Sequence, residues 1–376
     1  TPSAESYQNG LEEKYALVTL SERFGGVNMP EIEVVDIRKE TLWKKMRGHY
    51  SPQLFAEIEE TLQAKKRVIL FQNRRGYTPV VQCISCGHTH ECVNCDITLT
   101  YHKFAHKLKC HYCGYSVDPP STCPQCHSTE LKEVGFGTEK LEEEIQTLLP
   151  DASIARMDLD STRKKNAFNK LISRFENGEI DILIGTQMVT KGLDFDDVKL
   201  VGILNADSML HYPDFRAHER AFQLMEQVAG RAGRRSERGR VTIQSFKPDH
   251  RIIDHVLKHD YKSMMLEQLG ERKIFKYPPF TRLIHIDLRH RDYKILDAAA
   301  EFFASALRQQ LHEMVLGPEY PANKRLKGIY HKSILLKLDK SLSVAKVKQF
   351  MWQLHQHTLK HNAYKALKIV FDVDPY

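Results

Sequence analysis

Two arginines in a short glycine-bearing segment are well suited to hold an anion. The segment QVAGRAGR spans residues 227–234 and places Arg231 and Arg234 directly after Gly230 and Gly233. Glycines let the backbone turn tightly, and each guanidinium presents a planar set of donors that matches a phosphate. The spacing therefore predicts a site for an anion. A basic surface loop is the alternative.

A cysteine cluster offers a second kind of chemistry. All eight cysteines fall between residues 83 and 126, in four C-x-x-C pairs. Two intervening residues let one turn present both sulfurs to a tetrahedral ion, so we predict two structural zinc ions rather than disulfides or iron–sulfur clusters. The spacing leaves adjacent, crossed and nested pairings open. The predicted ligands are Cys83, Cys86, Cys92, Cys95, Cys110, Cys113, Cys123 and Cys126.

Alternating strands and helices must position the arginine segment. Short apolar runs predict buried strands at 67–71, 153–157, 181–185, 199–205 and 240–246, and amphipathic patterns predict helices at 138–149, 163–178 and 216–226. This order predicts an α/β fold with a parallel sheet, interrupted by the cysteines as an insertion. We expect the loop after strand 181–185 and the arginine segment to close the same edge of the sheet.

The last hundred residues predict a second, α+β domain. Pro278 and Pro279 bar a continuous helix at the junction. The following pattern predicts strands at 282–288, 331–338 and 367–373, helices at 292–313 and 344–361, and a short segment at 314–320. The order is β-α-β-β-α-β, which is typical of a ferredoxin-like domain.

Positive charge is concentrated in this second domain. The chain has a formal charge of +7, yet between residues 322 and 368 eleven Lys or Arg accompany Asp339 alone, which is 11 − 1 = +10 and leaves 7 − 10 = −3 elsewhere. This asymmetry favours a polyanion-binding face, with a solvated surface as the alternative. Because the sequence has no apolar run of roughly 20 residues and no secretion signal, we expect neither a membrane role nor secretion.

Several motifs occur together in one order. GTQMVTKGLDF at 185–195 and QVAGRAGR resemble motifs V and VI of superfamily 2 helicases. With NRRGYTPVVQC, the four C-x-x-C pairs, GFGTEKLEEE, RMDLDS, YPDFRAHERAFQLMEQVAGRAGR and YPPF, nearly the whole chain resembles the primosomal protein N′ (PriA) family of bacterial replication-restart helicases. The opening TPSAES resembles the end of that family's motif III.

The resemblance implies roles for individual residues. It makes Arg234 the arginine finger, with Arg231 beside it and Gln227 near the nucleotide or its water. The expected nucleotide contacts are Gly192, Asp194 and Gly230, and the expected DNA contacts from motif V are Thr186, Gln187 and Lys191. The residues of GFGTEK give a separate, local prediction: Gly137 and Thr138 stand at the start of a helix, with Thr138 as its N-cap, and the first N–H groups of this helix suit a DNA phosphate. A simple helix cap is the alternative.

The resemblance also implies pairing and domain boundaries. The zinc pairs nest in the family, which would put Cys83, Cys86, Cys123 and Cys126 on one ion and the other four cysteines on the second. The expected domains are the end of helicase lobe 1 at 1–25, a RecA-like second helicase lobe at 26–82 and 127–279, the zinc-binding insertion at 83–126, and a C-terminal DNA- and partner-binding domain at 280–376.

The implied function is ATP-dependent 3′→5′ unwinding of DNA at stalled or branched forks, with replication restart through primosome assembly. The implied location is the bacterial cytoplasm, in association with the nucleoid. Expected partners are branched and single-stranded DNA, the single-stranded-DNA-binding protein, primosome proteins and the replicative helicase loader. The sequence contains neither G-x-x-x-x-G-K-[ST] nor a D-E-x-H or D-E-x-D box. We therefore expect a C-terminal half that needs another lobe to use ATP and Mg²⁺. A non-enzymatic fork-binding scaffold and an RNA helicase are the alternatives.

Overall fold

The structure is a computed structural model that describes residues 1–20, 29–73, 80–102, 105–134, 138–158, 161–162, 166–190, 195, 197–233, 238–321 and 323–375. The helices are α1 Ala4–Leu11, α2 Ile37–Leu42, α3 Pro52–Gln63, α4 Thr138–Leu148, α5 Ala167–Glu176, α6 Asp207–Leu210, α7 Ala217–Ala229, α8 Arg251–Leu257, α9 Tyr261–Ile274, α10 Tyr293–Leu311 and α11 Val344–Lys360. The strands are β1 Glu31–Asp36, β2 Arg67–Phe71, β3 Val80–Cys83, β4 Thr100–His102, β5 Lys107–Lys109, β6 Ser116–Val117, β7 Leu131–Val134, β8 Ile154–Met157, β9 Ile182–Gly185, β10 Val198–Ile203, β11 Arg240–Ser245, β12 Thr281–His290, β13 Val315–Glu319, β14 Arg325–Leu326, β15 Ile329–Asp339 and β16 Lys368–Val373.

The larger sheet has six parallel strands in the order β1-β11-β10-β2-β9-β8. Its central strands are buried on both faces because helices cover each side. In β2, Ile69 and Phe71 pack into one core with residues of α5, α7, α8 and α9, whereas Val68 and Leu70 pack into a second core with α3 and α4. The predicted parallel α/β fold is confirmed.

The sequence pattern missed the edge strand of this sheet. β1 pairs with β11 alone, and its side chains alternate between exposed and partly buried positions. Its sequence, EIEVVD, carries three acids, since an edge strand keeps part of its surface in water. Strand 67–71, which the pattern predicted as the first, is therefore the second strand of the sheet in chain order.

The cysteine-rich segment forms a small module between β2 and α4. A two-stranded antiparallel sheet, β3-β7, joins its two ends, and a three-stranded sheet, β4-β5-β6, lies within it. Its compact core combines three cysteines with apolar side chains such as Ile97, Leu99 and Leu108. The chain thus inserts the module into the α/β sheet, as the sequence predicted.

The C-terminal domain is an antiparallel sheet in the order β13-β15-β12-β16, covered on one face by α10 and α11. This is the predicted ferredoxin-like arrangement, with the short β14 added to β15. On the other face, Leu283 and Leu335 pack with Tyr277 against Tyr112 and Phe215. That face therefore docks the domain on the zinc module and on the loop before α7.

Within the described part of the chain, no helix combines the length and the apolar composition needed to cross a bilayer.

Candidate nucleotide half-site and metal centre

The arginine segment follows the end of α7. Gly230 caps this helix, and its amide donates a hydrogen bond to the Glu226 carbonyl at 3.0 Å. Arg231 is only 8% exposed, and its amide donates to the Val228 carbonyl at 2.9 Å. Gln227 is exposed on the last turn of α7. Arg231 is therefore held against the core of the domain, which is unlike an ordinary basic surface loop.

The first helicase-like motif begins at one edge of the sheet, and the second ends near the opposite edge. Gly185, at the carboxyl end of β9, lies beside Phe71 in the neighbouring strand. The amide of Gly233 instead donates to the carbonyl of Val198, at 3.0 Å, and Val198 lies beside Arg67 at the amino end of β2. The prediction that both motifs close one edge is therefore wrong, because α7 runs back across the sheet after β10.

Two predicted DNA contacts lie at the carboxyl edge. The amide of Thr186 donates to the Met157 carbonyl at 3.3 Å, and the Gln187 side chain donates to Asn73 Oδ1 at 3.1 Å. A 3₁₀ helix, Gln187–Thr190, then packs on α7. Thr186 and Gln187 thus lie at the carboxyl edge of the sheet, whereas Gly233 of the arginine segment lies at its amino edge.

Thr138 occupies the start of α4 but is fully buried. Its hydroxyl donates a hydrogen bond of 2.7 Å to Asp158 Oδ2. Only its backbone amide is then available for the phosphate contact that we predicted. The other predicted site residues, Gly137, Lys191, Gly192, Asp194 and Arg234, lie outside the described residues.

A buried ion network that sequence reasoning missed holds α7 in place. Arg272 Nη2 donates to Glu219 Oε2 at 2.5 Å, and its Nη1 donates to Glu5 Oε1 at 3.1 Å. Arg216 also donates to Glu5 Oε1, and through Nη1 to the Pro375 carbonyl at 2.9 Å. The network therefore ties α1, α7, α9 and the end of the described chain together.

Burial and charge set the protonation of this network. Burial raises the pKa of Glu219 above its usual value, although the nearby Arg272 opposes that rise. At Glu5, burial alone would raise the pKa, but Arg272, a backbone hydrogen bond and Arg216 together hold it below its usual value. In the sequence, the segment YPDFRAHERAFQ stood out only as a family motif. The one local pattern that could have indicated a buried Glu219 is its position on the same helix face as Phe222.

Gly239 is expected to be indispensable to the arginine segment. A Cβ at this position would lie 2.4 Å from the Ala232 carbonyl carbon and 2.5 Å from the Gly233 nitrogen, both backbone atoms. We expect Gly239→Ala to lower the free energy of unfolding by about 1–3 kcal/mol and to remove hydrogen-exchange protection at the Gly233 amide. Gly270→Ala is the control because nothing lies within 4 Å of its Cβ position. Unchanged protection at Gly233 in Gly239→Ala would contradict the packing.

The eight cysteines form two groups of four. Cys83, Cys86, Cys123 and Cys126 make one group, and Cys92, Cys95, Cys110 and Cys113 make the other, with all Sγ atoms of a group within 4.8 Å of one another. This is the nested arrangement, in which the outer and inner pairs each share a centre.

The sulfur geometry fits zinc. The separations are 3.6 Å for Cys83–Cys126, 3.6 Å for Cys86–Cys123 and 3.5 Å for Cys92–Cys113. Four sulfurs placed about 2.3 Å from a tetrahedral zinc would be about 3.8 Å apart, whereas a disulfide requires about 2.05 Å. The two groups are therefore compatible with two zinc ions, and four thiolates leave no open coordination position for chemistry.

Each C-x-x-C turn ends in the same backbone conformation. The residues directly after the second cysteines have positive φ values; they are Gly87 at 76°, Asp96 at 53°, Gly114 at 81° and His127 at 59°. In the turn from Cys110, the Tyr112 amide donates to Cys110 Sγ at 3.4 Å. The left-handed residue closes each turn while both sulfurs point to one centre.

The inner group is connected to the C-terminal domain. The Tyr277 hydroxyl donates to the Cys95 carbonyl at 2.8 Å, and Lys109 forms a 2.5 Å ion pair with Glu319. His111 Nδ1 lies 2.6 Å from the Tyr320 carbonyl, while its Nε2 lies 3.2 Å from His102 Nε2. His111 thus bridges the two domains. Within the described residues, neither histidine belongs to a cysteine group.

Three segments of the chain match known protein families. Residues 92–117 match the PriA DNA helicase Cys-rich region, residues 130–236 match the helicase conserved C-terminal domain, and residues 273–376 match the primosomal protein N C-terminal domain. The matches follow the order of the zinc module, the parallel sheet and the antiparallel sheet.

Curated relatives match the chain along its length. Replication restart protein PriA of Bacillus subtilis is 38% identical over 378 residues, which cover 100% of this chain and 46% of the relative. The Chlamydia pneumoniae protein of the same name is 38% identical, covering 100% and 50%, and the Treponema pallidum protein is 41% identical, covering 90% and 50%. The chain thus spans about half the length of these relatives.

Proposed function

Because the chain belongs to the PriA family of replication restart helicases, we propose that it supplies the second helicase lobe, zinc module and C-terminal domain of an ATP-dependent 3′→5′ DNA helicase. The observation that carries this proposal is the identity along the whole chain, combined with an arginine segment fixed to the main sheet by the Gly233–Val198 hydrogen bond. We infer the domain boundaries 1–25, 26–82 with 127–279, 83–126 and 280–376 on the same grounds.

The chemistry proposed for the lobe is one half of a split ATP site. Arg234 and Arg231 would stabilise charge on the transferred phosphoryl group, Gln227 would orient the nucleotide or its water, and Gly230, Gly192 and Asp194 would shape the loops around the nucleotide. ATP and Mg²⁺ would be held mainly by a lobe outside this chain. The guanidinium is suited to this role because it stays charged and offers several donors.

The opposite edge of the sheet is proposed to follow the DNA backbone. Thr186 and Gln187 lie there, directly after Gly185. Along β2, the positions that pair with Gly185 and with Val198 are four residues apart, or roughly 13 Å. Lys191 and the Gly137–Thr138 backbone would extend this contact. The 3₁₀ helix that follows Gly185 packs on α7, whose end carries the arginines. This continuous packing supports coupling between DNA contact and nucleotide hydrolysis.

The biological role that we propose is recognition of stalled or branched forks and restart by primosome assembly. The zinc module and the basic C-terminal domain would bind branched DNA. The single-stranded-DNA-binding protein, primosome proteins and the replicative helicase loader are the proposed protein partners. The net +10 of residues 322–368 supports the DNA part of this proposal.

The proposed split site is tested by comparing this chain with the intact protein. We expect no DNA-stimulated ATP hydrolysis by the chain alone, but salt-dependent binding of forked DNA because phosphate contacts release counterions. The intact protein is expected to hydrolyse ATP and to unwind forks with 3′→5′ polarity. ATP hydrolysis by the chain alone would contradict the proposed split site. An intact protein that binds forks without hydrolysing ATP would instead be a non-enzymatic scaffold.

A further inference from the structure

The helix α11 carries an exposed tryptophan in a stretch of sequence without acids. From Lys340 to Phe371 the sequence contains no Asp or Glu and has six lysines, at 340, 346, 348, 360, 365 and 368. Trp352, on α11, is 59% exposed. Single exposed apolar side chains are ordinary on protein surfaces, so the inference depends on what surrounds Trp352.

The Trp352 ring is held in one orientation. It stacks on His355, with centroids 5.4 Å apart and planes inclined by 23°, and His355 in turn meets Phe371 of β16 edge-on at 5.9 Å. One face of the indole is thus fixed against the protein, while much of the ring remains open to solvent. A preoriented ring of this kind can stack on another planar group with little loss of side-chain entropy.

A second set of rings flanks the other side of α11. Phe302 of α10 is 41% exposed and stacks on His357 with centroids 6.1 Å apart, and Tyr364 lies 6.2 Å from Phe302. At 3.6 residues per turn, the arc of helix between Trp352 and His357 faces outward. This arc carries Ala345, Lys346, Gln349, Gln353, Gln356 and Lys360, all exposed.

We propose that this outer face of α11 binds single-stranded DNA, with an unpaired base stacked on Trp352 and phosphates beside Lys346 and Lys360. Every base has a planar face, so stacking of this kind tolerates any sequence. Paired bases in a duplex keep their faces covered, and lysines alone would be sufficient to bind duplex DNA. A second copy of this outer face of α11 would bring lysines against lysines, and the two copies would repel each other. The proposal depends on the proposed function only for the identity of the polyanion as DNA.

The two tryptophans of the chain permit a direct test. Trp43 and Trp352 are the only ones, so Trp43→Phe leaves Trp352 as the sole indole. Titration of this variant with an oligothymidylate of about 12 nucleotides is expected to quench its fluorescence. Trp352→Ala should weaken binding of the same strand by about 5- to 150-fold, and Trp352→Phe should restore most of it. Duplex binding should change little.

Trp43→Ala is the matched control, because Trp43 is 60% exposed and has Lys45 against its ring at 4.8 Å. It should bind the strand as the unmodified chain does. Lys346→Gln and Lys360→Gln should each reduce the salt dependence by about 0.7 in slope, whereas Trp352→Ala should leave the slope unchanged.

Three results would overturn the proposal. Strand binding without quenching of Trp352 would place the strand elsewhere and leave the proposed helicase function standing. If polyglutamate quenched the Trp352 fluorescence and the oligothymidylate did not, the partner would be an acidic protein instead of DNA. If neither forked nor single-stranded DNA binds the chain, this proposal and the DNA-binding part of the proposed function fail together.

Discussion

Cys110→Ala is expected to remove one of two zinc ions and to release the C-terminal domain from the zinc module. Cys110 is fully buried in the core that Cys92, Cys95 and Leu108 share. A structural zinc site uses four protein ligands, so three thiolates are not expected to retain the inner ion. Losing that ion also removes the folding free energy that zinc binding supplies. Metal analysis should fall from two zinc ions per chain to one, with a marked fall in the temperature of thermal unfolding.

The release of the domain follows from where the inner group is attached. Cys95 accepts the Tyr277 hydroxyl, and the turn from Cys110 carries His111, which contacts the Tyr320 carbonyl. Once this turn is lost, the junction near Tyr277 should become accessible. Limited proteolysis of Cys110→Ala should therefore cut between the main sheet and the C-terminal domain.

Cys126→Ala is the matched control for this coupling. Cys126 belongs to the outer group and is exposed. The variant should also lose one zinc ion, yet it should keep the Tyr277 junction protected from protease. Equal cleavage in both variants would show that the inner group does not hold the domain, and a Cys110→Ala protein with two zinc ions would overturn the four-thiolate assignment.

The sequence predicted the strands in which every residue is buried to a similar extent. β2 and β9 are buried on both faces of the sheet, so their sequences are continuous apolar runs. Such runs are typical of a parallel sheet that helices cover on both faces. β1 escaped detection because an edge strand mixes acids with apolar residues. The spacing of the cysteines predicted four turns, but pairing between turns depends on the strands that join them, and spacing alone left it open.

The sequence identified residues of the candidate site, but it did not predict how the fold arranges them in space. Motif order identified the arginine segment, but the edge of the sheet that it occupies depends on where α7 crosses the sheet. Thr138 looked like an N-cap, whereas its hydroxyl bonds Asp158, twenty residues away in sequence. Glu5, Glu219 and Arg272 come together from three distant helices. No local sequence pattern indicates that these three side chains form ion pairs.

Arg234→Ala in the intact protein is expected to reduce the turnover number for ATP hydrolysis by about 10³–10⁵-fold. The reason is that a guanidinium at this position would stabilise charge that develops on the γ-phosphoryl group. The chain leading to it is fixed, since Gly233 adopts φ 63° and its amide is bonded to Val198. Steady-state ATPase assays should show the loss in kcat, and fork binding should be largely intact.

Arg238→Ala serves as the control because it removes the same charge four residues later. Arg238 is exposed, and its Nε donates to the Met29 carbonyl at 3.1 Å. It should hydrolyse ATP normally. Arg234→Lys should remain nearly as slow as Arg234→Ala, since an ammonium lacks the planar set of donors. A loss that fell on KM alone would mean ground-state nucleotide binding instead, and equal loss of hydrolysis and fork binding would mean a folding or DNA-contact role.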